Sequence, residues 1–192
     1  MICELEFDSL RGRGPQISEM LQPLAGGRRV AFSTAPQRNQ FMIAVHSGTR
    51  PDTLPREWRF TTPIRKMRGS YWERWVPTTE KRTHYYLEQA YLHLYWRATA
   101  ADDEHELLAL HCDPNEPDDS GPMSQAIYKR GPHIHVMTAS QPLPHSHFAL
   151  NIGHLSDVLS STEDLSAAIS TAVTMIRDQV LDLFDHRGFN TG

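Results

Sequence analysis

Two His-x-His units lie close together in the second half of the chain and place the strongest constraint on its fold. Their members are His133, His135, His145 and His147. Side chains two positions apart on a β-strand point to the same side of a sheet, so each unit would present its imidazoles together. Apolar residues fill alternate positions, as Ile134 and Phe148 do. If the two segments pair as antiparallel strands with His133 opposite an odd-numbered residue, a histidine face and an apolar face result.

The same alternation appears upstream in residues 90–98 and 105–112, which we predict as strands, while residues 83–90 suit either a helix or a strand. With a third strand ending at residue 137 and a fourth at residues 145–152, the chain would form a four-strand meander. Its aliphatic side chains would share one face, and the other face would collect a set of candidate metal ligands. These are His111, Asp113, His133, His135, His145 and His147.

Three interpretations of this histidine face stay open. Neutral imidazoles bind transition metals, and two from one strand plus a third can hold a divalent ion such as zinc. Without a metal, histidines act as general acids and bases, with an arginine or a tyrosine to polarise the substrate. The third interpretation is a polar surface or interface without chemistry. The candidate catalytic residues are Tyr95, Arg97, His133, His135 and His147.

Charge is distributed unevenly, although the net charge is only −4. Residues 50–82 are rich in arginine and tryptophan, whereas residues 101–120 contain acids but no lysine or arginine. Arginine contacts phosphates and aromatic rings stack on bases, so the basic segment predicts binding to a protein, RNA or DNA partner. In the alternative, the tryptophans pack internally and the arginines pair with those acids. The candidate partner-binding residues are Arg56, Arg59, Arg65, Lys66, Arg68, Trp72, Arg74 and Trp75.

We predict an α+β fold with a largely antiparallel sheet, made of an N-terminal hairpin and the C-terminal four-strand meander. The hairpin comprises residues 28–34 and 40–46, on either side of a turn. A long C-terminal helix should pack on the apolar face of the sheet. Ser161 is a good N-cap for it, and apolar residues recur at helical spacing as far as Phe184.

The rest of the N-terminal half is less regular in sequence. Residues 3–7 alternate as a short strand would, and residues 11–15 contain the glycines and proline of a turn. Residues 16–24 predict a short helix. Residues 58–82 show no clear periodicity, so no long element is expected there.

A length of 192 residues suits one domain. A weak division near residues 77–79 would separate an N-terminal lobe (1–77) from the C-terminal sheet and helix (80–188). No apolar run approaches the roughly 18 residues that a membrane span needs, and the N-terminus has no secretory pattern. With only two cysteines, the sequence is typical of a cytoplasmic protein without a membrane partner.

Several segments together resemble small histidine-rich bacterial proteins, some of which are the toxin half of toxin–antitoxin operons or belong to phage-defence operons. The segments are Leu-His-Leu-Tyr-Trp, Ala-Leu-His-Cys-Asp-Pro-Asn-Glu-Pro, Gly-Pro-His-Ile-His-Val and Leu-Pro-His-Ser-His-Phe. The resemblance covers at most residues 84–184. It implies a strand, an acidic turn and a histidine-rich strand before a terminal helix, and a prokaryotic defence or regulatory role.

The first functional expectation is a cytosolic accessory or binding protein, a component of a prokaryotic defence or toxin–antitoxin system. It would bind a protein or nucleic-acid partner through the basic segment and the histidine face. The alternative is a small histidine-dependent hydrolase or nuclease, with or without a divalent metal. The sequence specifies neither the substrate nor the oligomeric state.

Overall fold

The chain folds into one antiparallel sheet with two helices. The computed structural model describes residues 3–37, 39–78, 83–97, 99, 101–113, 132–136, 146–149 and 161–182. The strands are β1 (Glu4–Glu6), β2 (Ala31–Gln37), β3 (Gln40–His46), β4 (Phe60–Thr61), β5 (Met67–Pro77), β6 (His84–Trp96), β7 (His105–Cys112), β8 (His133–Val136) and β9 (Ser146–Ala149). The helices are α1 (Phe7–Leu21) and α2 (Thr162–Ile176), with 3-10 turns at Gln22–Ala25 and Pro55–Glu57 and a π-helical turn at Arg177–Leu181.

The strands form a single sheet in the order β2-β3-β5-β6-β7-β8-β9, while β1 pairs with β6 and β4 pairs with β5. Every strand pair among the described residues is antiparallel. This confirms the α+β class, the N-terminal hairpin and the order of the C-terminal meander. Because β5 pairs with both β3 and β6, it joins the hairpin to the meander. The division predicted near residues 77–79 falls between β5 and β6, which are paired with each other.

The hydrophobic core lies between one face of this sheet and the helices. Leu10 of α1 and Ile169 of α2 are fully buried in the same cluster as Leu92, Leu94 and Leu110 of the sheet. Both helices therefore cover the aliphatic face, as predicted for the C-terminal one. The oxygen of the predicted N-cap, Ser161, accepts a hydrogen bond of 3.1 Å from the backbone N–H of Asp164, and α2 follows it directly. The predicted end of that helix, residues 183–188, lies outside the described part of the chain.

The N-terminal helix is longer than the sequence suggested. Residues 11–15 were expected to form a turn and residues 16–24 a short helix, but both stretches contribute to α1 and its following 3-10 turn. Leu10, Ile17 and Leu21 bury one stripe of α1, and this tertiary packing outweighs the low helix propensity of the glycines and of Pro15. The prediction of a turn there was wrong.

β5 was also not expected, because residues 58–82 showed no clear periodicity. Its core-facing positions include Met67, Tyr71 and Trp75, but also Gly69 and Glu73. The two non-apolar positions interrupt the alternation on which a sequence prediction depends. Gly69 is needed because the ring of Phe60 lies over it, so that a Cβ there would come 2.1 Å from the Phe60 Cζ.

A buried ion pair fixes the two helices to β5. Arg13 of α1 and Glu73 are 1% and 0% exposed, and the Arg13 Nη2 lies 3.1 Å from the Glu73 Oε1. Tyr71 and Trp75 donate hydrogen bonds of 2.6 and 2.9 Å to the same carboxylate, and Arg13 donates one of 2.8 Å to the Ser166 Oγ of α2. Burial alone would lower the pKa of Arg13, but the adjacent carboxylate raises it, so the guanidinium stays charged.

Replacing Glu73 with glutamine should lower the free energy of unfolding by about 3–5 kcal/mol, because the buried guanidinium loses its counter-charge. Glu88→Gln is the matched control, since Glu88 pairs with Arg74 on the same sheet at about one-third exposure. An ion pair at this exposure contributes only about 0–1 kcal/mol to the free energy of unfolding. Urea denaturation of both variants measures the difference, and equal losses would contradict a structural role for the buried pair.

Two glycines of α1 should respond to alanine with opposite signs. A Cβ on Gly14 would lie 2.3 Å from the Phe32 ring, whereas one on Gly12 would meet nothing within 4 Å. Gly14→Ala should destabilise the protein by about 1–3 kcal/mol through overpacking against β2. Gly12→Ala should stabilise it by up to about 1 kcal/mol through helix propensity. Thermal unfolding measures both, and a stabilising Gly14→Ala would show that α1 does not approach β2 closely.

Candidate metal centre

The face of the sheet opposite the helices, which no described helix covers and which we call the open face, carries the predicted histidines His111, His133 and His135. His133 on β8 pairs with His111 on β7, and His135 pairs with Ala109. On the other side of β7, His111 pairs with Tyr91 and Ala109 pairs with His93 on β6. Partners in register share a face, so burial of the intervening leucines under the helices directs these rings to the other side. The parity predicted for β6, β7 and β8 is confirmed along this row.

His111, His133 and His135 form a compact cluster. Each residue contributes one ring nitrogen to a group of three that all lie within 4.8 Å of one another. Ring centroids are 4.1 Å apart for His111 and His135, and 4.7 Å apart for His133 and His135. His133 is only 1% exposed, while the other two are half-buried. The cluster therefore has one buried and two half-buried members.

Three imidazoles are a suitable ligand set for a transition metal. Nitrogens bound at about 2.0–2.1 Å to one tetrahedral zinc are about 3.3 Å apart, so the ring nitrogens would have to approach one another by up to about 1.5 Å. If these three described residues were the only protein ligands, a fourth position would remain for water or substrate, as in catalytic rather than structural zinc sites.

A row of aromatic rings fixes the orientation of the cluster. Tyr91 stacks on His111 with the ring centroids 3.9 Å apart and the planes 12° apart. Trp72 on β5 lies 4.8 Å from Tyr91. With His135 on the far side, the row crosses four strands, β5 to β8. The His111 ring is thus held between Tyr91 and His135. Because the orientation of this ring is already restricted, metal binding would cost it little rotational freedom.

A histidine–carboxylate pair lies beside the cluster. The His93 Nδ1 is 2.7 Å from the Glu106 Oε2, and the His93 ring is 5.2 Å from that of His111. Glu106 reaches this face because of an irregularity between β6 and β7: Leu94 pairs with Leu108, but Tyr95 pairs with Glu106. Without the extra residue, Glu106 would have faced the core. Bulges often aim a side chain in this way beside functional sites.

The structure places the other candidate catalytic residues further along the sheet. Tyr95 lies beyond His93, with its ring stacked at 5.8 Å. Burial raises its pKa, and the Arg59 guanidinium, which acts in the opposite direction, lies 4.0 Å from the ring. Arg97 follows β6, where its backbone N–H donates to the Lys66 carbonyl. The Cα of His147 on β9 is paired with that of His135, and its side chain is outside the described set.

Two further predicted ligands do not join the described cluster. His145 lies outside the described residues. Asp113 follows β7 and is 2% exposed, but the group of ligand atoms that meet within 4.8 Å consists of the three histidines. Asp113 stays a candidate for orienting a ligand. Cys112 points into the core, and burial raises the pKa of its thiol well above the usual value, so the thiol stays protonated.

The candidate partner-binding residues do not form one surface. Trp75 is fully buried and donates its indole N–H to Glu73, so it belongs to the core. Arg59 pairs with Glu104 at 2.9 Å, as in the alternative that pairs arginines with the acids of residues 101–120, whereas Arg74 pairs with Glu88 outside that segment. The remaining members are exposed or half-exposed. These are Arg56, Arg65, Lys66, Arg68 and Trp72.

The candidate residues predicted from the sequence include neither His93 nor Glu106. His93 lies on the predicted strand of residues 90–98, so alternation could have found it. Alternation alone assigns Glu106 to the same side as Leu108 and Leu110, because it is an even-numbered residue of β7. Only the strand irregularity moves Glu106 to the histidine side, and no residue type in the segment marks that irregularity.

Comparison of the chain with protein-family models, with curated proteins and with solved structures found no significant match in any of the three. Among the described helices, none has both the length and the apolar character needed to cross a membrane.

Zinc should bind the purified, untagged protein at one ion per chain. Alanine at His111, His133 or His135 should weaken binding by about 100-fold or more, which exceeds the usual effect of residues behind the ligands. His105→Ala is the matched control, because His105 lies on β7 with His111 but is exposed at the strand start. Calorimetric titration measures the affinities, which should fall on acidification since protons compete for imidazole. Equal affinities for all four variants would exclude this centre.

Proposed function

We propose that this protein is a metal-dependent hydrolase whose metal is held by His111, His133 and His135. The observation that carries the proposal is the convergence of three imidazoles from two neighbouring strands within 4.8 Å. A zinc ion in such a site would act as a Lewis acid and activate water.

His93 would act as the general base. An ionised Glu106 can only accept hydrogen bonds, so the 2.7 Å contact requires that the proton of the His93 ring lie on Nδ1. The Nε2 then carries a lone pair that can take a proton from water. The His93 ring is 5.2 Å from that of His111, so the base lies directly beside a proposed ligand.

Hydrolysis would consume one water molecule. Its oxygen forms a bond to the electrophilic atom of the ester, and its proton passes to the His93 Nε2. The bond from the electrophilic atom to the leaving oxygen breaks, and that oxygen takes up the proton from the His93 Nε2 as it departs.

A second candidate is the accessory or binding protein expected from the sequence. The exposure of Arg56 and Arg65 favours contact with an anionic protein or nucleic-acid partner. A role in a prokaryotic defence or toxin–antitoxin system depends on the resemblance of residues 84–184 and stays a prediction. Partner co-purification that survives His135→Ala and is lost on changing both arginines would favour this candidate.

Alanine at His93 should lower the zinc-dependent turnover of a test phosphodiester or carboxylic ester by about 100-fold to 10,000-fold, the usual contribution of a general base. Bound zinc should stay at one ion per chain, since His93 is not a proposed ligand. His84→Ala is the matched control: His84 is also on β6 and near a carboxylate, with its Nε2 3.7 Å from the Glu6 Oε1, but at the other end of the strand.

Glu106→Gln should lower the turnover of the zinc-loaded protein, because the amide can present its NH2 group to the His93 Nδ1 and no longer fixes the proton on that nitrogen. Steady-state rates at one pH measure this effect for the wild type and the variant. If no ester of either class is turned over faster by the zinc-loaded protein than by free zinc, the hydrolase proposal fails.

A further inference from the structure

A pocket of about 530 Å³ lies on the open face next to the histidine cluster. Residues of β3, β5 and β6 form its floor. The 3-10 turn at Pro55–Glu57 and the preceding Leu54 form a wall. The lining residues are Gln40, Met42, Leu54, Pro55, Arg56, Trp72, Arg74, Gln89 and Tyr91. The volume falls in the range of roughly 300–1,000 Å³ that small-molecule sites occupy.

The pocket combines stacking surfaces with positive charge. Trp72 and Tyr91 are half-exposed, and Leu54 is 49% exposed although it is apolar. Among the described residues, two arginines and no carboxylate line the pocket. Glu88 takes part of the charge of Arg74, while Arg56 is exposed to solvent. A ligand with a flat ring and an anionic group matches this surface, since aromatic stacking and arginine contacts would act on separate parts of it.

Tyr91 connects the pocket to the metal centre. One part of its ring lines the pocket, and the ring also stacks on His111 at 3.9 Å. A ring that stacks over Trp72 would therefore lie beside Tyr91, which separates it from His111. Ligand binding and hydrolysis would then use adjacent parts of one face.

We propose that this pocket binds a nucleoside monophosphate. The base would stack on Trp72 beside Tyr91, and the phosphate would be contacted by Arg56 on the wall that packs against β3 and β5. This inference goes beyond the proposed hydrolase and does not depend on it. Binding needs no metal and is tested without it.

Calorimetric titration with AMP in the presence of a chelator tests the pocket directly. AMP should bind with a dissociation constant below 1 mM, and adenosine and inorganic phosphate should each bind at least tenfold more weakly, because each carries only one of the two recognised groups. Arg56→Ala should weaken AMP binding at least fivefold. Arg65→Ala, an exposed arginine of the same segment outside the pocket, should change it less than twofold.

Trp72→Leu should weaken AMP binding tenfold or more, and an unchanged melting temperature shows that the variant is folded. If AMP does not bind, or if Arg56→Ala and Arg65→Ala weaken it equally, the inference is overturned. Binding of a single-stranded hexanucleotide without binding of AMP also overturns it, because the site would then need an extended strand.

His135→Ala separates this inference from the proposed function. The variant should bind AMP as the wild type does, because His135 is outside the pocket, but it should lose the zinc-dependent turnover of the test esters. Normal AMP binding by a wild-type protein that binds no zinc would reject the hydrolase and leave the pocket. Zinc-dependent turnover of test esters without AMP binding would reject the pocket and leave the hydrolase.

Discussion

Alternation of side chains along paired strands is the constraint on which the rest of this structure depends. Burial of Leu92, Leu94 and Leu110 beneath the two helices leaves only one direction for His93 and His111. A slip of one residue in any pair would place imidazoles in the core and leucines in water, at a large cost. The hydrophobic core therefore determines which side chains the open face carries.

The buried Arg13–Glu73 pair serves the same arrangement from the core side. Removing either charge alone would leave the other unpaired in a dry environment, so the two helices and β5 are specified together. Trp72 lies between Tyr71 and Glu73 on β5, so its side chain points to the opposite face of the sheet. The anchoring of Tyr71 and Glu73 thus also positions the indole that ends the row of rings.

The sequence predicted the elements in which apolar residues occupy the core-facing positions. It failed where a polar residue or a glycine occupies such a position because of a contact with a residue distant in the sequence. The strands β6 to β8 and the N-cap of α2 were readable from alternation and capping. Residues 11–15 were misread because Arg13 and Gly14 serve contacts with Glu73 and Phe32, which are distant in sequence. The position of Glu106 depends on strand pairing that no local pattern encodes.

The cluster joins two segments that are well separated along the chain, because His111 belongs to β7 whereas His133 and His135 belong to β8. An ion bound to all three would act as a reversible cross-link that closes the intervening chain into a loop. Such a link restricts the unfolded chain and favours the folded one by an amount that rises with the free ion concentration. Binding of the ion would then contribute to the stability of the outer strands of the sheet.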